Sequence, residues 1–596
     1  MEMREIKSPT TNESVQANYS KLSDHIRRLT PQGIQCSVFC GGTNCKYENP
    51  ENWKADSLAI QGIYSHWITD DILAMARPST VVIIQKNIIQ QFESLGIKSI
   101  INLQSPKEHA SCGHPLEDSG FSYDPNIFME HNIYYYNFAW KDYGDATLVG
   151  LLNMVKVLAF AITEGRVAIH CHAGLGRTGV LIACYLVYSL RVSANDAIRY
   201  VRLKRPGSVQ TRGQILCVRH FAQFVLPRTI TYCLKENINK NKYMSDFTLP
   251  RFLRRQKVIL HGYEERNFKY LPKIVHCICE RILKLCGCWI DEFPLSNTPL
   301  TFDFLFTKLT GKIQRYESTY SLCSNSSDSL FTNDLKSPSE EMSSPTSPNP
   351  SENGDPSDSF SELSTLDGDE ISEELLIENR CFQELETQKC FNQDLTEKSV
   401  AIQDINVAVN ALLLDYSTLT NETKKKIKQY QVEINSSQLG WSKLAIETDL
   451  ILLSMLLFEW IEGLKHPVIR REGFENIVVH YKQPEICFQK FSPEEAYLIE
   501  YLLRFISKIN PISKDNQDYL IKRIISACSQ QTLLIREKMK PIDKGFKKLR
   551  DGTLACTLEF FQSLFELIEV HHSLKTSVYL EESKMYNEAE VENDFQ

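Results

Sequence analysis

The chain has 596 residues, a formal net charge of -8 at pH 7, and a composition that is 42% hydrophobic and 23% charged. At roughly 100–200 residues per domain, that length predicts two or three folded units joined by linkers. The negative net charge argues against nucleic acid as a main partner. The N-terminal stretch has no apolar signal core, so the 18 cysteines are expected to be reduced thiols. No apolar run reaches the ~18 residues that suggest a membrane span, so we expect a cytoplasmic protein.

Strand and helix patterns alternate along residues 80–225. The predicted elements are strands at 98–103 and 133–140, a helix at 148–162, a short buried strand at 166–171, a helix from Arg177 or Thr178, and a helix from Ser193. The order predicts an α/β domain over 51–230, with a central, mostly parallel sheet flanked by helices.

The remaining chain is predicted to be helical on both sides of a linker. A segment at 1–50 precedes the α/β domain, and a helical extension at 231–317 follows it. Residues 318–378 are rich in Ser, Pro and acidic residues, which predicts a disordered linker. An all-α C-terminal region is expected at 379–575, followed by an acidic tail at 576–596. We expect the C-terminal helices to bind partner proteins.

The ten residues from His170 to Gly179 read HCHAGLGRTG and connect the buried strand to the next helix. A glycine-bearing loop before a helix N-terminus gathers backbone N–H groups around one point, and the helix dipole favours an anion there. Arg177 adds a planar guanidinium group whose N–H groups can bind two phosphate oxygens at once. A phosphate is therefore predicted to bind His172, Ala173, Gly174, Leu175, Gly176 and Arg177.

Cys171 lies where this loop begins. The positive surroundings that bind a phosphate also stabilise a thiolate, and the thiolate is the nucleophilic form. Cys171 is therefore predicted to attack phosphorus in line and to form a phosphocysteine. Thr178 follows Arg177 and can donate its hydroxyl to the sulfur when the sulfur departs.

These residues resemble the signature of the cysteine-based protein tyrosine phosphatases, H-C-x5-R-[ST]. AMARPS at 74–79 and GIKSIINL at 96–103 resemble the smaller dual-specificity type. CSVFCGGTNCKYENP at 36–50, RPGSVQTRGQ at 205–214 and LHGYEER at 260–266 resemble the protein tyrosine phosphatase domain-containing protein 1 family. The resemblance implies a phosphoprotein substrate, no cofactor, and a role in cilium formation or maintenance, with localisation at the centrosome or the cilium base.

The resemblance also implies two further catalytic residues. FAWKDYGDA at 138–146 is similar to the mobile loop that carries the family's general acid, with lysine in place of the usual proline. Asp142 is the predicted acid, and Asp145 is the competing choice. RPGSVQTRGQ is similar to the loop that positions the hydrolytic water in relatives of the mitotic-exit phosphatases. Gln214 is predicted for that role, with Gln210 as the alternative.

Two other functions stay open at this point. Lipid phosphatases of the superfamily carry two lysines in the catalytic loop, and His172 and Leu175 stand in their places. This disfavours a phosphoinositide substrate, although a protonated His172 would leave it open. The large C-terminal region and Lys141 also fit a scaffold that binds phosphoproteins with little catalysis.

Two groups of cysteines are close enough in the sequence to be considered as zinc ligands. The first is Cys36, Cys40 and Cys45, and the second is the stretch HCICERILKLCGC at 276–288. Neither has the C-x2-C pairs of typical zinc sites, and the second lies on a predicted helix. No metal is therefore predicted.

Overall fold

The computed structural model describes residues 15–140, 147–234, 247–288, 379–395, 402–542 and 544–570. The predicted linker at 318–378 and the acidic tail at 576–596 lie outside these ranges. Among the described residues, none of the helices combines the length and the apolar character needed to cross a bilayer.

A five-stranded sheet forms the centre of the α/β domain. Its strand order is β1-β2-β5-β3-β4, with β1 antiparallel to β2 and the other neighbours parallel. This confirms the predicted, mostly parallel sheet. The strands are β1 (Ser65–Trp67), β2 (Ile72–Met75), β3 (Ile97–Asn102), β4 (Tyr134–Asn137) and β5 (Arg166–His170).

Helices cover both faces of the sheet and precede it in the chain. One of them, α6, forms as the sequence predicts: the Thr147 hydroxyl caps it by accepting the Gly150 N–H at 3.1 Å, and Gly165 ends it. The helices are α1 (Lys21–Leu29), α2 (Gln32–Gln35), α3 (Thr80–Gln85), α4 (Ile88–Ser94), α5 (Asn126–Met129), α6 (Leu148–Glu164), α7 (Gly176–Leu190), α8 (Ala194–Lys204) and α9 (Arg212–Val225).

The carboxyl ends of the parallel strands determine where chemistry can occur. β2, β3 and β5 run in the same direction, so the residues that follow them meet at one edge of the sheet. Arg77 follows β2, Leu103 follows β3, and Cys171 follows β5. The loop of the HCHAGLGRTG stretch therefore opens at this edge.

The helical extension and the C-terminal region share one apolar core, which joins residues 232–286 to residues 408–568. Trp460 lies inside it, with its ring centroid 5.0 Å from that of Phe252, and its indole N–H donates to the Thr231 carbonyl oxygen at 3.0 Å. The helices are α10 (Leu249–Ile259), α11 (Gly262–Asn267), α12 (Lys273–Leu285), α13 (Arg380–Leu395), α14 (Ile405–Leu412), α15 (Asn421–Ser436), α16 (Gln438–Ile446), α17 (Leu450–Glu462), α18 (Arg471–His480), α19 (Pro484–Phe488), α20 (Pro493–Lys508), α21 (Lys514–Ser529) and α22 (551–570).

One of these helices packs elsewhere. Cys381 of α13 is fully buried in the core of the α/β domain, together with partly buried Phe382 and Leu385. The Asn379 side-chain amide donates to the Asp196 carbonyl oxygen at 3.1 Å. The chain therefore returns to the α/β domain before it enters the C-terminal helices.

The C-terminal region is helical, as the sequence analysis predicts, but one short hairpin departs from the all-α prediction. β6 (Leu533–Ile535) and β7 (Lys538–Lys540) form an antiparallel hairpin. Arg536 and Glu537 both adopt left-handed backbone angles, with φ of 49° and 65°, as a two-residue hairpin turn requires. Neither residue is glycine or asparagine, so the usual turn signal is missing from the sequence.

Candidate active site

Cys171 lies at the floor of the catalytic loop, residues 170–176, and is 4% exposed. The preceding His170 is fully buried, and its Nε2 lies 2.7 Å from the Tyr123 hydroxyl oxygen. Its Nδ1 lies 3.0 Å from the carbonyl oxygen of Cys171. Burial lowers the pKa of His170 to about 4, so the ring is neutral and donates through Nδ1 while accepting from Tyr123. The histidine therefore fixes the backbone that carries the nucleophile.

Arg205 holds the outer side of the catalytic loop. Its Nε donates to the Gly174 carbonyl oxygen at 2.7 Å, and its Nη2 donates to that of Ala173 at 2.9 Å. In a trans peptide the N–H points away from the C=O. The N–H groups of Gly174 and Leu175 therefore face away from Arg205, as a phosphate cradle requires. Leu175 precedes α7 without a side-chain cap, which leaves the helix N-terminus open to an anion.

Arg177 is 2% exposed and is held by a carboxylate that the sequence analysis did not identify. Its Nη1 donates to Glu108 Oε2 at 3.0 Å, and its Nη2 pairs with Glu108 Oε1. Nη1 also donates to the carbonyl oxygens of Leu103 at 3.0 Å and Trp140 at 2.6 Å. The signature arginine is thus oriented by the loop after β3 and by Trp140, which lies two residues before the predicted acid Asp142.

Thr178 is fully buried, and its hydroxyl has no hydrogen-bond partner among the described residues. A buried hydroxyl without a partner is costly. The hydroxyl is not hydrogen-bonded to the sulfur of Cys171 in this structure, and its role toward that sulfur stays a prediction.

The two predicted glutamines both lie beside the catalytic loop. A Cβ added to Gly176 would come within 2.7 Å of Gln214 Nε2 and 3.5 Å of Gln210 Oε1. Gln214 Oε1 accepts the backbone N–H groups of Gln210 at 2.7 Å and Thr211 at 3.3 Å. This capping box at the start of α9 directs the Gln214 NH₂ group at the loop.

Asp142 and Asp145 lie outside the described residues. The chain that leads to them is anchored at Trp140, which is buried and whose carbonyl oxygen accepts from Arg177. On the far side, Thr147 caps α6. The predicted acid loop therefore begins directly beside the signature arginine.

The match to known proteins agrees with this geometry. The family model for the dual specificity phosphatase catalytic domain matches residues 83–223. Those residues form a dual specificity phosphatase domain. The phosphatase domain includes Cys171, Arg177, Thr178 and Gln214.

Individual relatives cover only part of the chain. A protein tyrosine phosphatase domain-containing protein 1 from Danio rerio is 53% identical over 287 residues, which is 48% of this chain and 39% of that protein. The dual specificity protein phosphatase CDC14C from Symphalangus syndactylus is 35% identical over 121 residues, which is 20% of this chain and 22% of that protein. A crystal structure of Tk-PTP in the active form aligns with 27% of this chain and 96% of its own, at 20% identity and a TM-score of 0.22. The chain thus spans about two fifths of the length of the Danio rerio protein.

The side chain of His172 packs against His109 and Cys45, and it does not line the predicted phosphate site. Its ring stacks on that of His109 with centroids 4.0 Å apart, and its Nε2 lies 3.5 Å from Cys45 Sγ. Burial holds the pKa of His172 well below its usual range, so the ring is neutral. A protonated His172 therefore does not supply the charge that a phosphoinositide substrate would need, and only its backbone N–H is left for a phosphate.

The phosphatase domain also gathers cysteines from distant segments. Cys36, Cys40 and Cys45 from the N-terminal segment meet Cys112 and His109 from the loop after β3, and His172 from the catalytic loop. We call these six residues the Cys/His cluster. The other cysteines compared with zinc sites do not gather in this way: Cys279 and Cys286 lie in the apolar core around α12.

Gly174 gives the first testable prediction. Its φ is +68°, and an added Cβ would lie 2.0 Å from the Met75 carbonyl oxygen. Gly207 has a similar φ of +77°, but its Cβ would meet nothing within 4 Å. We expect Gly207→Ala to cost about 1–2 kcal/mol for the left-handed backbone. Gly174→Ala should cost about 3 kcal/mol or more, because overpacking is added. Urea denaturation of both variants measures the difference, and equal losses would contradict this structure of the loop.

Proposed function

We propose that the phosphatase domain hydrolyses phosphate monoesters on proteins through a phosphocysteine at Cys171. The observation that carries the proposal is the position of Cys171, at the floor of a loop whose N–H groups face away from Arg205 and which leads into α7, where Arg177 lies in the first turn. Backbone donors, a helix N-terminus and a guanidinium there surround one buried thiol. This arrangement stabilises the dianion of a phosphate and the charge that develops as it is transferred.

The first step transfers the phosphoryl group to sulfur. The Cys171 thiolate attacks phosphorus, an S–P bond forms, and the P–O bond to the substrate breaks. Asp142 donates a proton to the departing oxygen, which makes it a neutral alcohol or phenol. Arg177 holds two of the phosphoryl oxygens throughout.

The second step restores the enzyme. Asp142, now a carboxylate, accepts a proton from water as the water oxygen attacks phosphorus. The S–P bond breaks and inorganic phosphate leaves. The Gln214 amide is near enough to the loop to orient that water, and the Thr178 hydroxyl donates to the leaving sulfur.

The chemistry of the loop favours phosphoproteins over inositol phosphates. The neutral His172 ring and the apolar Leu175 offer no charge beyond Arg177 itself. A highly charged inositol phosphate would lack partners for its additional phosphates. Phosphotyrosine, phosphoserine and phosphothreonine each carry a single phosphate, so they need no further positive partners.

The full chain should therefore hydrolyse phosphopeptides. With phosphotyrosine and phosphothreonine peptides, we expect phosphate release at about 1 per second or faster, a rate typical of enzymes. Soluble phosphoinositides should be hydrolysed at least about tenfold more slowly, a loss of roughly 1.4 kcal/mol. Phosphopeptide binding without turnover would favour the scaffold function over catalysis. Faster turnover of phosphoinositides would overturn the proposed substrate class.

The resemblance further predicts a role in cilium formation or maintenance. This stays a prediction, as does the binding of partner proteins by the C-terminal helices.

A further inference from the structure

The Cys/His cluster places six sulfur and nitrogen ligands beside the catalytic loop, although the phosphatase reaction uses none of these side chains. Cys36, Cys45 and Cys112 are at most 1% exposed, and Cys40 packs against them. All four are free thiols. An apolar core would be satisfied by aliphatic side chains, whereas thiols and imidazoles that converge from three segments are the ligand set that zinc prefers.

Four members of the cluster have the spacing of a metal site. One ligand atom each from Cys40, His109, Cys112 and His172 lies within 4.8 Å of every other. In a tetrahedral zinc site, bonds of ~2.3 Å to sulfur and ~2.0 Å to nitrogen place ligand atoms about 3.3–3.8 Å apart. To bind an ion, the ligand atoms of these side chains need to approach one another by at most about 1.0–1.5 Å.

His109 is oriented as a metal ligand usually is. Its Nδ1 faces the thiols, 3.4 Å from Cys36 Sγ and 4.0 Å from Cys112 Sγ. Its Nε2 faces the Glu108 carboxylate at 3.8 Å. Histidines that bind zinc typically present the other ring nitrogen to a carboxylate or a carbonyl oxygen, which fixes the ring and raises its basicity.

The backbone around these ligands is already fixed. The Arg77 guanidinium donates to the carbonyl oxygens of Glu108 at 3.2 Å, His109 at 3.1 Å and Cys112 at 2.7 Å. The Arg77 backbone N–H donates to the carbonyl oxygen of His172 at 2.9 Å. One buried arginine therefore holds the backbone of both the loop after β3 and the catalytic loop in place, so the binding of an ion would require movement of side chains rather than of the backbone.

We propose that Cys40, His109, Cys112 and His172 bind one zinc ion in a closed structural site, flanked by the thiols of Cys36 and Cys45. The site connects the N-terminal segment to the catalytic loop, because His172 is adjacent to Cys171. It also reaches the signature arginine, because His109 faces Glu108 and Glu108 pairs with Arg177. The zinc site stands on this geometry alone and does not depend on phosphatase activity.

Metal analysis of the full chain tests the site. The wild-type protein, expressed with added zinc and then dialysed against metal-free buffer, should contain one zinc per chain by elemental mass spectrometry. Cys40→Ser combined with Cys112→Ser should reduce this to about one tenth or less, because serine is a poor zinc ligand. Cys217→Ser combined with Cys556→Ser is the matched control, since both cysteines are partly exposed and lie outside the cluster. Wild-type protein without zinc, or a double variant that keeps its zinc, would overturn the site.

Cobalt spectra test the ligands without relying on a variant that folds. Co²⁺ exchanged into the wild-type protein should give the visible absorption of a tetrahedral site, with a charge-transfer band of the intensity expected for two thiolates. A band for four thiolates would overturn the assignment of the two histidines, and octahedral Co²⁺ would overturn the site. Cys171→Ser should bind zinc as the wild type does, so a failed metal test and a failed phosphatase test are distinguishable.

Discussion

Replacing Cys171 by serine should reduce phosphopeptide hydrolysis by the full chain on the order of 10⁴-fold or more, a size seen when a covalent nucleophile is removed. The serine hydroxyl is not ionised at neutral pH and is a far weaker nucleophile than a thiolate. Binding should survive, because Arg177 and the loop N–H groups are unchanged. The measurements are kcat from phosphate release and Kd for a phosphopeptide.

Cys217→Ser is the matched control for this experiment. Cys217 lies on α9 in the same domain and is partly exposed, and it packs against the domain core rather than in the loop. Its substitution should leave kcat within about twofold, since it touches no reacting group. Equal activity of Cys171→Ser and the wild type would exclude the phosphocysteine mechanism.

Replacing Glu108 by glutamine should lower both stability and activity. The Glu108 and Arg177 side chains are 4% and 2% exposed, and removing one partner leaves the other charge buried and unpaired. Breaking such a pair costs about 3–5 kcal/mol. The glutamine NH₂ group would also oppose a guanidinium that only donates. We expect a free energy of unfolding lower by about 3 kcal/mol, and a kcat/KM lower by about 100-fold from a displaced Arg177.

A positioning role for Glu108 predicts one further effect. Inorganic phosphate should raise the Tm of the wild type more than that of Glu108→Gln, because the variant's arginine is misplaced for the anion. Glu93→Gln is the control: Glu93 pairs with His131 at 3.1 Å, with both side chains about half exposed, and such pairs contribute about 0–1 kcal/mol. An unchanged kcat/KM and an unchanged phosphate effect in Glu108→Gln would contradict the positioning role.

The elements around the catalytic loop could be predicted because their signals are local. The apolar spacing of α6, the cap at Thr147 and the glycine after the helix all lie within a few residues of the structure they produce. β2 could not be predicted in the same way. It is four residues long and buried throughout, and it is defined by pairing with β5, nearly a hundred residues later in the chain.

The same limit applies to the site. The order of Cys171, Arg177 and Thr178 in one motif gave the nucleophile and its neighbours from sequence alone. Glu108 and Arg205 were missed because each reaches the loop from a distant segment, and nothing in a single sequence encodes which charges meet. The Cys/His cluster shows this most clearly, since the spacing of Cys36, Cys40 and Cys45 does not reveal that Cys112 and two histidines complete the group.

The core shared by residues 232–286 and 408–568 has a consequence for how this protein is made. On the ribosome, the strands and helices of residues 65–225 emerge together and can close most of their own core at once. Phe252 and the apolar face of α12 cannot bury their side chains at that stage, because Trp460 and its neighbours have not yet been translated. Pairings so distant along the chain are slow to form and leave apolar surface exposed in the meantime. A nascent chain that stalls after α12 would therefore carry a folded α/β domain followed by helices with exposed apolar surface. Chaperones bind intermediates of this kind.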